Sequence, residues 1–155
     1  MTGVEEHIVV AVPPAEVFAA VTDVRRMARW SPECFAVWIW RRENGRPSRF
    51  IGFNRRGPYV WFSGCQVRVA DPGAEFAFDV TALGLPVARW GYRLAPTEGG
   101  TAVTEYWLDK RTRGSRALGR IFTGPSSTIR PEVNREGMRE TLRRLKSELE
   151  SGPKS

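Results

Sequence analysis

The chain has 155 residues, 41% of them hydrophobic and 26% charged, with a net charge of +7. That balance suits a globular chain long enough for a sizeable core, read as one domain over residues 1–150 with a polar tail at 151–155. No apolar run approaches the roughly 20 residues of a membrane span and no basic-then-apolar leader opens the chain, so a cytoplasmic location is expected.

Residues 4–12 are β-rich and read as a first strand, ended by Pro13-Pro14. Residues 15–21 favour a short helix, with Pro14 suited to its first turn and Val17, Phe18 and Val21 on one face. Asp23 is placed to cap a second short helix running to Trp30, and Ser31-Pro32 stops it. Six strands follow, at 34–41, 49–56, 59–70, 75–81, 87–94 and 101–110. Turn signals separate them, among them Asn44-Gly45, Gly57-Pro58 and Asp71-Pro72-Gly73. The Asn44-Gly45 loop is read as longer than two residues.

Period-two alternation sorts the faces of most strands. Phe76, Phe78 and Val80 oppose Glu75, Ala77 and Asp79. Ala88, Trp90, Tyr92 and Leu94 oppose Arg89 and Arg93, and Trp61, Ser63, Cys65, Val67 and Val69 share a face. In the last strand Val103, Glu105 and Trp107 lie together, although the opposite face is not clearly polar. The 34–41 strand carries aromatics on both faces, and pattern alone does not orient it.

A short helix is expected near 115–122, and a long one from 131 to 150. Val133, Gly137, Met138, Leu142, Leu145 and Leu149 form the apolar stripe of the long helix. Gly137 costs a helix roughly 1 kcal/mol against alanine, so it marks either a close approach or room for a ligand. Charge is uneven: residues 1–109 hold 12 basic and 12 acidic side chains, and residues 110–155 hold 12 basic and 5 acidic. The whole excess therefore belongs to the C-terminal segment, as a solvated helix face or as a surface for an acidic partner.

Strand, two short helices, six strands and a long helix is the order of the helix-grip fold. The sequence resembles the polyketide cyclase/dehydrase and lipid-transport superfamily (START-like, Bet v 1-like, SRPBCC). The residues carrying the resemblance are Val12-Pro13-Pro14-Ala15-Glu16-Val17-Phe18, Val21-Thr22-Asp23 and Arg29-Trp30-Ser31-Pro32-Glu33. Further on come Phe50-Ile51-Gly52-Phe53-Asn54-Arg55-Arg56-Gly57 and Gly100-Thr101-Ala102-Val103-Thr104-Glu105. It implies an α+β architecture, a seven-stranded curved antiparallel sheet wrapped around the C-terminal helix, with a cavity between them. It does not single out one activity.

Seventeen aromatic residues occur in the chain, fifteen of them from Trp30 to Trp107. Rings on the inward face either fill a core or stack on a flat ligand. The expected ligand-binding set is Phe50, Trp61, Ser63, Phe76, Phe78, Trp90, Trp107 and Met138. Glu105 stands among rings, where burial raises a carboxyl pKa and equips it for general acid–base work beside Tyr92 and Asn54. Alternatively Glu105 is paired with an arginine, Arg56 or Arg89. Asn54 either orients a ligand carbonyl or bonds neighbouring backbone. Arg55 and Arg56 read as a solvated turn or as a mouth that steers an acidic ligand or phosphorylated carrier protein, and Trp30 and Glu33 as an anchor for the second short helix or the frame of an entrance.

Cys34 and Cys65 read as reduced, semi-buried thiols. With His7 the only histidine, no metal site is expected, nor any cofactor. Three functions remain open. The first is binding of a hydrophobic or aromatic small molecule in an internal cavity. The second is a cofactor-independent polyketide cyclase or dehydratase using a buried carboxylate. The third is an interaction protein using the basic helix for nucleic acid or membrane, against which stand interleaved glutamates and the lack of a nucleic-acid motif. A homodimer is left open.

Overall fold

A computed structural model describes residues 3–114, 117 and 130–151. Its elements are β1 (Gly3–Val10), α1 (Pro14–Thr22), a 3-10 turn (Val24–Arg26) and α2 (Met27–Trp30). These are followed by β2 (Cys34–Glu43), β3 (Arg46–Arg56), β4 (Tyr59–Asp71), β5 (Glu75–Ala82), β6 (Leu85–Thr97), β7 (Gly100–Asp109) and α3 (Arg130–Glu150). The helix expected near 115–122 lies, apart from residue 117, outside the described residues.

All seven strands form one antiparallel sheet in the order β1-β7-β6-β5-β4-β3-β2. Strands β2 to β7 are hairpin neighbours in sequence, and β1 closes onto β7, pairing Val4 with Trp107 and Val10 with Thr101. The curved sheet packs against α3 in the α+β helix-grip arrangement. Lys146 Nζ donates to the Val9 carbonyl at 2.8 Å and Glu150 Oε2 accepts the Ala11 N–H at 2.8 Å. These bonds fix the C-terminal end of α3 against the end of β1. No helix among the described residues is long and apolar enough to cross a membrane.

Two local expectations are corrected. The Asn44-Gly45 loop is a two-residue hairpin, because both residues take positive φ, 51° and 76°. That matches the primed turn that follows the twist of the flanking strands. Asp23 makes no side-chain cap; its carbonyl instead accepts the Arg26 N–H at 2.9 Å, which tightens residues 24–26 into 3-10 geometry before α2. Ser31 then ends α2, its Oγ accepting the N–H of Glu33 and of Cys34.

One end of the sandwich is filled. Val17, Phe18 and Val21 of α1 meet Phe76 and Leu94 of the sheet and Leu142 and Leu145 of α3, all buried. Strand β2 resists orientation by pattern because both of its faces are apolar. Val37 and Ile39 pack inward while Phe35, Trp38 and Trp40 are exposed, and bulges shift the register. The outer face of β7 is apolar for a different reason. Tyr106 lies over Gly91, donates to Glu75 Oε2 at 2.5 Å and is capped by the Arg93 guanidinium at 4.6 Å.

Candidate functional site

The other end is hollow. A cavity of about 350 Å³ opens between the sheet and the N-terminal half of α3, within the range of about 300–1,000 Å³ typical of small-molecule sites. Strands β3 to β7 supply its wall through Phe50, Trp61, Ser63, Phe78, Trp90, Tyr92, Glu105 and Trp107. Helix α2 and the turn after it form a lip with Met27, Ser31 and Pro32. Strand alternation explains the wall, since each of these sheet residues lies on the face toward α3. Phe76 and Met138, also expected to touch a ligand, do not line the cavity. Phe76 belongs to the filled end, and Met138 packs with Val4, Ala88 and Trp107.

Glu105 is 3% exposed and faces Tyr92 across the β6–β7 register. No ion pair reaches it among the described residues. The arginines considered as partners are taken elsewhere, Arg56 by Glu33 at 3.8 Å and Arg89 by Asp79 at 2.8 Å. Desolvation raises the Glu105 pKa well above the ordinary carboxyl range, and the Tyr92 hydroxyl, which donates to it, offsets only part of that. Burial and the Glu105 carboxyl likewise raise the Tyr92 phenol. Oε1 of Glu105 is buried without a hydrogen-bond partner among the described residues. Burial without a cation therefore favours the neutral form of this carboxyl group.

Asn54 lies apart from this pair. It lines the cavity from β3, four strands along the sheet from β7. Its Nδ2 donates to the Gly52 carbonyl at 3.3 Å and to Ser63 Oγ at 3.2 Å. No hydrogen bond joins Asn54 to Glu105 or Tyr92. Four steps of about 4.8 Å lie between Asn54 and Glu105 along the sheet, and all three residues line the same cavity.

Sequence reasoning missed the polar residues that the helix contributes. Asn134 and Thr141 are 3% and 5% exposed and line the cavity from α3, and Nδ2 of Asn134 has no partner among the described residues. The signal was present, because both fall on the apolar stripe one turn from Met138, yet hydropathy scoring passes over polar residues on such a face. Gly137, between them, lines the same cavity. A Cβ there would meet Pro32 Cγ at 3.4 Å, so the close approach is to the lip rather than to the sheet.

Both cysteines are buried free thiols. Burial pushes the Cys34 thiol up to about 11 and raises Cys65 as well, so they stand in the wall as thiols and not as thiolate nucleophiles. His7 is on the outer face of β1, sharing a 2.9 Å hydrogen bond with Thr104 Oγ1. Four exposed arginines of α3 are paired. Arg135 and Arg139 hold Glu6 at 3.1 and 3.0 Å, and Arg143 and Arg144 hold Glu140. Among the described residues no group of three or more His, Cys, Asp or Glu is placed to hold a metal ion.

The family described as polyketide cyclase / dehydrase and lipid transport matches residues 1–150. The chain belongs to this family. A polyketide-cyclase-like protein from Corynebacterium glutamicum is 30% identical, with a TM-score of 0.63 over 96% of this chain and 91% of that one. A START superfamily protein from Mycobacterium smegmatis shares the fold at 15% identity, with a TM-score of 0.75 over 96% of this chain and 97% of that one. The di-domain ARO/CYC StfQ from the steffimycin biosynthetic pathway shares it at 14% identity, with a TM-score of 0.70; the match covers 94% of this chain and 49% of StfQ. Among curated proteins none matches the chain. The site thus belongs to a polyketide cyclase/dehydrase and lipid-transport fold whose interior is hollow at the end away from α1.

Proposed function

We propose that this protein binds a flat, apolar small molecule of polyketide or lipid type in the cavity between its sheet and α3. The observation carrying this reading is the wall itself, where Phe50, Trp61, Phe78, Trp90 and Trp107 surround about 350 Å³ with few polar atoms. Membership of the polyketide cyclase/dehydrase and lipid-transport family supports it. Titration with polycyclic aromatic compounds, followed by tryptophan emission and calorimetry, tests it. Gly137→Phe puts a ring into the cavity from α3, and it is expected to weaken binding by about 100-fold, ~2.7 kcal/mol, with the far-UV spectrum unchanged. Unaltered affinity in that variant would place the ligand elsewhere.

The unpartnered carboxyl supports a second reading, cofactor-independent ring closure. Glu105 would hand its proton to a ligand carbonyl oxygen as a new carbon–carbon bond forms, and recover one from the carbon that loses its C–H. Tyr92 would hold the carboxyl in place throughout. Turnover of a poly-β-ketone substrate that Glu105→Gln abolishes, with binding retained, is the result expected of this reading.

A further inference from the structure

Two residues that line the cavity each carry a buried polar atom with no partner among the described residues, Oε1 of Glu105 and Nδ2 of Asn134. They stand on opposite walls, one on β7 and one on α3, and both residues line the same space. Buried polar groups are nearly always hydrogen-bonded in native proteins, so an unsatisfied pair facing one cavity calls for an explanation. Apolar residues would pack at both positions without that cost.

We propose that Glu105 and Asn134 are a pair of hydrogen-bond donors for carbonyl oxygen, and that the ligand is a neutral aromatic ketone rather than a carboxylate or a bare hydrocarbon. This rests on the binding reading above and specifies its substrate class. The amide nitrogen of Asn134 can only donate. The Tyr92 hydroxyl donates to the Glu105 carboxyl, and burial without a cation favours the protonated form, so the carboxyl can present an O–H. Two donors set in an apolar wall select acceptor oxygen. A carboxylate finds no such welcome, since Arg56 and Arg111 at the cavity are already ion-paired, to Glu33 and Asp109, and Glu136 adds negative charge to its lining. An anion entering there would lose its hydration without a matching partner.

Three compounds on one ring skeleton separate the possibilities: fluorene, 9-fluorenone and fluorene-9-carboxylate, titrated calorimetrically into the whole chain. The ketone is expected to bind about tenfold more tightly than the hydrocarbon, ~1.4 kcal/mol, and the carboxylate most weakly. Asn134→Leu and Glu105→Leu should each reduce the ketone's advantage. Glu105→Gln should keep it, because the amide N–H takes over from the acid O–H while the carbonyl still accepts from Tyr92. Equal binding of ketone and hydrocarbon by the wild type would overturn this inference and leave the binding reading standing, as would an advantage untouched by either leucine. Binding of none of the three would overturn both.

Discussion

Glu105→Gln is expected to stabilise the fold, by an amount that grows with pH. The carboxyl group is buried without an ion pair and its pKa is raised well above the ordinary range, whereas the unfolded chain releases that proton near the ordinary glutamate value of about 4.3. Between that value and the raised folded-state value, the native protein holds one proton more than the unfolded one. Stability therefore falls as pH rises through this window, by about 1.4 kcal/mol per pH unit at most. The amide keeps the shape and the Tyr92 hydrogen bond but cannot titrate. Urea unfolding at a series of pH values should show the two proteins alike in stability trend below about pH 4 and the variant gaining steadily above it. A difference that stays constant from acid to alkaline pH would mean that Glu105 is ionised in the folded state.

Trp30→Ala is expected to cost about 3–5 kcal/mol, the range for removing a buried large ring. Trp30 is 2% exposed and belongs to the main core. The Arg26 guanidinium covers its ring at 5.3 Å, and Arg26 and Arg29 reach Glu148 on α3 at 3.5 and 2.6 Å. Helix α2 has four residues, too few to hold itself together without such an anchor. Its loss should also loosen the lip formed by Met27 and Pro32, so ligand affinity falls along with the urea midpoint. A loss under about 1 kcal/mol would show that the ring is not what holds α2 in place.

Most of the architecture was legible in the chain because curved antiparallel sheets leave a period-two trace. The inward faces of β5, β6 and β7 followed directly from alternation, as did that of β4 up to Val67, beyond which a bulge turns Val69 to the other face, and Glu105 stood out as a carboxyl on an otherwise apolar row. Strand β2 was not legible, since an edge strand with rings on both faces carries no alternation to read. The partners of Glu105 were also beyond the sequence. Whether an arginine reaches a buried carboxyl depends on which acidic residue lies nearer, and here Glu33 and Asp79 capture Arg56 and Arg89. Asn54 was grouped with Glu105 on chemistry alone, and the strand order separates them. Asn134 was overlooked for the opposite reason, because it lies where a helix stripe is expected to be apolar.

Native mass spectrometry of the purified chain tests the central claim most directly, with extraction and identification of whatever co-purifies. A hollow lined by Trp61, Trp90 and Trp107 predicts a retained aromatic or lipid-like molecule at one per chain, displaced in Gly137→Phe. A chain that flies at its bare mass, and stays bare after incubation with polycyclic aromatic and acyl compounds, would contradict the account.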